Sequence, residues 1–194
     1  MSAVRTAADG RVAVRCYVYS REAGAGTWSL GLLPEEAPHS DVLPGDVLPG
    51  ELLPGELLPD GADPAAAALR LASRLTGRTA SLVTPPVPPL ERPGRAGTAV
   101  PPWWLRASED GPYELAYEYV TTVPGPPPAG LRWLAPADAR ALARPQDENL
   151  RLAAALGDVM EALLAGQVTP AAIRAMTLGH SRRGVGGPRT SPQW

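Results

Sequence analysis

The stretch that decides the fold is LPGELLPDGADPAAAALRLASRLTGR, residues 53–78, because both ends of a helix can be located in it. Asp63 is a good N-cap, and Pro64 suits the first helical position, where its missing N–H is no loss. Residues 65–76 are rich in alanine, leucine and arginine, which favour a helix. Gly77 follows as the left-handed residue on which many helices end. The stretch therefore predicts a helix that begins at Pro64 and ends before Gly77.

Segments with the alternating pattern of β-strands lie on both sides of this helix. In residues 11–20, valines and Cys16 occupy one set of alternate positions, whereas Arg15 falls among the tyrosines of the other set. Further strands are predicted at residues 27–33, 81–83, 99–107, 113–122 and 131–134. Residues 109–112 predict a hairpin turn between the two longest of these strands. The chain thus mixes strands and helices, which indicates an α/β (α+β) fold class.

Helices dominate the C-terminal part of the predicted structure. They are expected at residues 136–143, 147–164 and 169–179. The second of them is amphipathic, with Leu152, Leu156 and Leu163 on one face. Residues 180–194 are rich in glycine, proline and arginine, so we expect a disordered tail there, and residues 1–10 predict a flexible N-terminus.

A five-residue repeat separates the second strand from the helix. VLPGD, VLPGE, LLPGE and the shortened LLPD follow one another over residues 42–60. Each Pro-Gly suits the centre of a type II turn, and the unit is too short to be a solenoid repeat. We predict an expanded, Pro/Gly-rich loop over residues 34–60, with residues 42–52 mobile and dispensable. A partner-binding loop is the alternative.

Composition and charge exclude several classes of function. The 194 residues fit one domain with an appendage, and a net charge of −2 gives no overall attraction to nucleic acid or to an anionic membrane. The single cysteine, Cys16, excludes an internal disulfide, and its apolar surroundings predict a buried structural thiol. The sequence has no apolar signal-peptide core and no stretch of membrane-spanning length, so we expect a cytoplasmic protein.

Residues 53–78 resemble the Nudix box, the sequence motif of the Nudix hydrolase family. The family's motif follows a Leu-Pro-Gly and includes a glycine, a glutamate and then the run Arg-Glu-aliphatic-x-Glu-Glu-x-Gly. Here Leu53-Pro54-Gly55 stands in front, Arg70 matches the arginine of the run and Gly77 matches its closing glycine. Nudix domains end with a short strand that bears a tryptophan, followed by the start of a helix. Residues 131–138 resemble this ending.

The resemblance covers residues 11–145 and implies a Nudix-like mixed β-sheet sandwiched by helices. Residues 146–179 would then form a C-terminal helical extension of this domain. In the family, three glutamates on one helical face hold Mg²⁺ or Mn²⁺ against a diphosphate, and carboxylates are the ligands that these cations prefer.

The metal-binding glutamates of the family are absent from this sequence. The aligned positions hold Leu71, Arg74 and Leu75, the family's first glutamate falls at Ala62, and its opening glycine falls at Glu56. We therefore expect that no Mg²⁺ is bound, that no cofactor is used and that the chain contains no catalytic residue for Nudix hydrolysis.

Four side chains are candidates for ligand binding: Arg70, Arg74, Trp104 and Glu118. The two arginines could contact phosphate directly in place of a metal. Trp104 follows Trp103, and on a strand one of the two would point outward, where it could stack on a nucleobase or sugar. Glu118 could assist a metal as a single carboxylate, although we favour a solvated strand face at this position.

Three functions are compatible with these features. The first is a catalytically degenerate Nudix-fold protein that binds a nucleotide or another phosphorylated metabolite without hydrolysing it. The second is a protein-interaction or structural module without a small-molecule ligand, with Leu71, Leu75 and the C-terminal helix as its contact surface. The third is a hydrolase or repurposed enzyme with a non-standard active site. The expected partners are a phosphorylated small molecule, a protein or a second copy in a homodimer, and neither nucleic acid nor a membrane.

Overall fold

The computed structural model describes residues 11–21, 26–34, 53–87, 90–91, 98–107, 115–144 and 147–182. The strands are β1 (Val12–Arg21), β2 (Trp28–Leu32), β3 (Gly55–Leu58), β4 (Ser81–Val83), β5 (Leu90–Glu91), β6 (Thr98–Ala99), β7 (Trp104–Ala107), β8 (Leu115–Val123) and β9 (Arg132–Leu134). The helices are α1 (Pro64–Thr76), α2 (Pro136–Leu142), α3 (Glu148–Asp158), α4 (Met160–Leu164) and α5 (Pro170–Arg182). Among these residues, no helix is both long enough and apolar enough to cross a membrane.

β1 is the central strand of a seven-stranded mixed sheet. It runs parallel to β8 along nearly its whole length, from Val12 opposite Leu115 to Ser20 opposite Val123. On its other side, β1 pairs antiparallel with β3 near its start and with β2 near its end. β9 extends the sheet beyond β2, while β4 and β7 both pair antiparallel with β8. Because both faces of such a sheet must be covered, the helices divide between them.

The helix predicted from residues 53–78 covers one face of the sheet. Asp63 accepts a hydrogen bond from the Ala65 N–H at 3.2 Å, and α1 ends at Gly77, whose φ of 64° is in the left-handed region. The apolar side of α1 packs on the alternate residues Val14, Cys16 and Val18 of β1. Both predicted ends of this helix are confirmed.

The C-terminal helices cover the opposite face. Tyr17 and Tyr19, which alternate with Cys16 and Val18 along β1, belong to the same apolar cluster as Leu152 and Leu156 of α3. The Tyr19 hydroxyl donates a 2.5 Å hydrogen bond to the carbonyl oxygen of Ala153, which ties α3 to the centre of the sheet. The predicted α+β fold, a mixed sheet sandwiched by helices, is therefore confirmed.

The structure corrects four of the predicted boundaries. The loop predicted over residues 34–60 contains β3, which pairs with β1, whereas residues 35–52 with most of the repeat lie outside the described residues. The strand predicted at 99–107 is divided into β6 and β7, because Pro101-Pro102 between them has no N–H to donate to a neighbouring strand.

The two remaining corrections concern the C-terminal helices. The helix predicted at 147–164 breaks at Val159, where φ is −113°, just after the weak helix formers Gly157 and Asp158. α5 does not end at Gly179 but continues to Arg182, so the first residues of the predicted tail are helical. A glycine in a helix costs only about 1 kcal/mol relative to alanine, so it does not stop a helix by itself.

Candidate functional site

Two of the three α1 positions at which the Nudix family places its metal ligands, Leu71 and Leu75, face the protein core. Leu71 is completely buried and Leu75 is 9% exposed, and both pack in the apolar cluster between α1 and the sheet. Ala62 lies in the turn before the helix, where its N–H donates to the carbonyl oxygen of Pro59 at 3.0 Å. The contact surface for a protein partner that was predicted from Leu71 and Leu75 is wrong, because both side chains are covered by the chain itself.

Arg74 and Glu56 form an ion pair at the edge of this cluster. Arg74 Nη2 lies 2.6 Å from Glu56 Oε2, with 42% of the arginine side chain and 11% of the glutamate side chain exposed. Glu56 is on β3, so the pair links α1 to the strand that the sequence had placed within a loop. Arg70, one helical turn before Arg74, is exposed to solvent.

The side chains at the aligned positions do not fit a divalent cation. Leucine and alanine offer no oxygen ligand, Arg74 would repel the ion, and the Glu56 carboxylate is already paired with Arg74. Among the described residues, no group of three or more histidine, cysteine, aspartate and glutamate side chains comes together elsewhere. These positions therefore cannot reproduce the metal-ligand set of the family.

Glu118 lies in a buried polar cluster on the opposite face of the sheet, which we call the Glu118 cluster: Arg15, Tyr17, Arg106 and Glu118. Glu118 is not exposed at all. Its Oε1 accepts hydrogen bonds from Arg15 Nη1 at 2.9 Å and from Arg106 Nε at 2.8 Å, and its Oε2 accepts one from the Tyr17 hydroxyl at 3.1 Å. The prediction of a solvated strand face at Glu118 is wrong, because β8 is an interior strand and the Glu118 side chain is enclosed by the three side chains that donate to it.

The pKa shifts follow from this burial. Desolvation raises the pKa of the Tyr17 phenol well above its usual value, and the adjacent Glu118 carboxylate raises it further. For Arg106, burial alone would lower the pKa, but the attraction of Glu118 outweighs it and the pKa is raised. Tyr17 therefore stays neutral and Arg106 stays charged at physiological pH.

Both adjacent tryptophans are buried, contrary to the expectation that one of them points outward. Trp103 precedes β7, and its Nε1 donates a 2.5 Å hydrogen bond to the carbonyl oxygen of Val83. Trp104 is 6% exposed, and its ring stands edge-on to Tyr17 with 5.9 Å between the ring centroids. Trp104 thus offers no exposed ring on which a nucleobase could stack.

Cys16 is confirmed as a buried structural thiol. It is fully buried between β1 and α1, and its Sγ lies 3.5 Å from the carbonyl oxygen of Ala68. Burial raises the pKa of the thiol far above its ordinary value, with a smaller contribution from Glu56. A thiol held in the neutral form is a poor nucleophile.

The structure places the candidate residues in two separate groups. Arg70 and Arg74 lie on α1, whereas Trp104 and Glu118 lie on the opposite face of the sheet. The sequence interpretation missed Arg15 and Arg106, which hold Glu118. The available signal was that Arg15 occurs among tyrosines in a strand that is apolar on both sides, where a charged side chain must find a partner.

Neither a protein-family model nor a curated protein matches the sequence. Among solved structures, a hydrolase of the NUDIX family from Clostridium perfringens aligns over 77% of this chain and 97% of its own, with a TM-score of 0.51 and 14% identity. A mutT/nudix family protein from Listeria innocua aligns over 81% and 98% of the two chains, with a TM-score of 0.44 and 17% identity. The Ap4A hydrolase of C. elegans aligns over 69% and 86%, with a TM-score of 0.41 and 16% identity.

At such low identity these likenesses concern the fold, and the first of them is the one on which the assignment rests. The helix α1, capped by Asp63 and Gly77, occupies the part of the sequence that resembles the Nudix box. A mixed sheet carries α1 on one face and the C-terminal helices on the other. The chain has a Nudix-like α+β fold.

Proposed function

We propose that this chain is a Nudix-fold protein that binds its ligand without hydrolysing it. The observation that supports the proposal is the complete burial of Leu71 against the sheet, at a position where the family requires a glutamate for its metal. A carboxylate there would be desolvated, whereas leucine stabilises the packing of α1. The helix that carries metal ligands in the family thus serves as part of the core in this chain.

The proposal also includes the loss of Mg²⁺. Glu56 is the carboxylate that lies beside the aligned helix face, and its ion pair with Arg74 at 2.6 Å already satisfies it. A divalent ion at Glu56 would have to displace this pair while remaining next to the positive charge of Arg74. We therefore expect ligand binding that is independent of divalent cations.

The ligand class that we propose is a nucleotide or another phosphorylated metabolite. Arg70 and Arg74 follow one another at the spacing that places side chains on the same side of a helix. Arg70 is exposed and 42% of the Arg74 side chain is exposed, so both guanidinium groups can reach a phosphate. Guanidinium groups bind phosphate through paired hydrogen bonds and need no metal for it.

A thermal-shift titration with nucleotides, with and without Mg²⁺, tests this proposal. A ligand at about one hundred times its dissociation constant should add roughly 2.7 kcal/mol to the free energy of unfolding. We expect the same stabilisation in EDTA, and its loss in the double variant Arg70→Gln/Arg74→Gln. Arg174→Gln, which changes an exposed arginine on α5, is the matched control. Stabilisation that requires Mg²⁺ would contradict the proposal.

A further inference from the structure

We propose that Trp104, Arg106 and the start of α3 form a second binding site, which takes an anionic oxygen group, either a carboxylate or a phosphate. This site lies on the sheet face opposite α1. It goes beyond the proposed function because it uses no residue of α1 and does not depend on phosphate binding by Arg70 and Arg74.

Two buried hydrogen-bond donors at this place have no acceptor among the residues that the structure describes. Trp104 is 6% exposed, and its Nε1 atom is buried without a hydrogen-bond partner in the part of the chain that the structure describes. The same is true of the Arg106 Nη2 atom. Buried donors are nearly always paired in native proteins, so two on neighbouring side chains indicate that an acceptor from outside the chain belongs there.

Arg106 belongs to the Glu118 cluster and Trp104 lies next to it, but neither Trp104 Nε1 nor Arg106 Nη2 donates to Glu118. Trp104 is directly opposite Glu118 in the pairing of β7 with β8, and Arg106 lies two residues further along the same strand, so both side chains are on one face. Glu118 Oε1 already accepts from two guanidinium groups and Oε2 from Tyr17. The missing acceptor must therefore come from another group.

Glu148 occupies part of the proposed site. Its Oε2 is 3.5 Å from Arg106 Nη1, a longer separation than the 2.8 Å between Arg106 Nε and Glu118. Half of the Glu148 side chain is exposed, so the carboxylate can move into solvent at little cost. When it does, Nη1 and Nη2 of Arg106 together present the fork that matches a carboxylate or a phosphate. Glu148 thus stands in for the ligand's anionic group.

The start of α3 supplies further groups for the ligand. α3 has 11 residues, and its N-cap residue Asp147 makes no hydrogen bond through its side chain to the helix N–H groups. An anionic group near this end is favoured by those N–H groups and by the helix dipole. Asn149 is in the first turn, and its buried Oδ1 has no hydrogen-bond partner among the described residues.

NMR titration of the intact chain with inorganic phosphate and with sodium acetate tests this site. The readout is the indole N–H resonance of Trp104, assigned by its disappearance in Trp104→Phe. We expect a saturable shift of this resonance with at least one of the two anions, and none with sodium chloride at matched ionic strength. The anion that produces the shift identifies the ligand group as phosphate or carboxylate.

Four variants test whether the anion binds at this site and not at α1, and whether the residues here do more than support the fold. Glu148→Gln removes the competing carboxylate, so we expect anion binding to become about two- to fivefold tighter, the range expected for an exposed ion pair. Arg106→Gln should abolish the shift. The double variant Arg70→Gln/Arg74→Gln and the control Arg174→Gln should leave the shift unchanged. Because the same double variant should abolish nucleotide binding under the proposed function, the two proposals can fail independently.

Two results would overturn the inference. One is a Trp104 indole resonance that does not respond to either anion, which would mean that ordered water satisfies the donors. The other is a response with the same affinity in the native chain and in Glu148→Gln. Since Glu148 is at the surface, its variant keeps the test decisive even if Arg106→Gln fails to fold.

Discussion

The two faces of the central sheet differ in where they place charge. On the face covered by α1, residues such as Val14, Cys16 and Leu71 form an apolar layer, and the ion pair of Arg74 with Glu56 lies at its partly exposed edge. On the opposite face, Arg15 and Glu118 pair at the centre, with 1% and 0% of their side chains exposed. Of the helix positions aligned with the Nudix box, Leu71 and Leu75 belong to the core here, while buried charge lies on the other side of the same strands.

The same type of interaction has different consequences on the two faces. A buried ion pair adds little net stability when intact, but removal of one partner leaves an uncompensated charge in the interior. An ion pair at the edge contributes little in either case, because water replaces the lost partner. Substitution of Glu118 in the buried pair and of Glu56 in the edge pair should therefore change the stability by different amounts.

The largest expected effect is that of Glu118→Gln. It leaves Arg15 and Arg106 without the carboxylate that both share, so we expect a loss of about 3–5 kcal/mol in the free energy of unfolding. The matched control is Glu56→Gln, which breaks the edge pair and should cost only about 0.2–1 kcal/mol. Urea unfolding of the three proteins measures both changes. Equal losses would show that the two faces do not differ in this way.

The next largest effect is expected for Leu71→Ala on the apolar face. Truncation of this fully buried side chain leaves a cavity between α1 and the sheet. We therefore expect the free energy of unfolding to fall by about 3 kcal/mol. Leu105→Ala is the control, since that leucine is 52% exposed on β7 and its truncation should change stability by less than about 0.5 kcal/mol. If Leu71→Ala is as mild as its control, α1 does not pack as described.

Alkaline pH should destabilise the chain through Tyr17 and Tyr19, which lie on the face covered by the C-terminal helices. Burial raises the pKa values of Tyr17 and Tyr19 in the folded chain, so their contribution is fully present below the unfolded pKa of about 10 and is lost as the pH rises above it. At one pH unit above that value, ionisation of each tyrosine in the unfolded chain should lower the free energy of unfolding by about 1.4 kcal/mol. Denaturant unfolding from pH 9 to 11 measures the loss. Tyr19→Phe should reduce it by about half, and an unchanged pH profile in that variant would contradict the assignment.

The sequence was sufficient to predict the elements whose ends depend on local chemistry. Asp63 and Gly77 bound α1 because their preferences act within one turn, and the alternation around Cys16 predicts β1 because strand faces repeat every two residues. Where a local signal was weak, as at Gly179 in α5, the sequence put the boundary three residues too early.

The Glu118 cluster could not be predicted in the same way. Arg15 and Glu118 are 103 residues apart in the chain, and only the parallel register of β1 with β8 brings them together. Alternation along β8 puts Glu118 on the face away from Tyr117 and Tyr119, but it does not say whether that face is covered. A covered face requires α3, whose packing depends on contacts that are distant in sequence.

Whether the chain binds its ligand without hydrolysing it is decided by an assay for hydrolysis of nucleoside diphosphate-linked substrates in the presence of Mg²⁺ or Mn²⁺. With Leu71 and Leu75 in the core and Glu56 paired with Arg74, we predict turnover no higher than that of a protein-free blank. Turnover that EDTA abolishes, and that Glu56→Gln also abolishes in a purified and folded chain, would show a metal site on α1 and contradict the account.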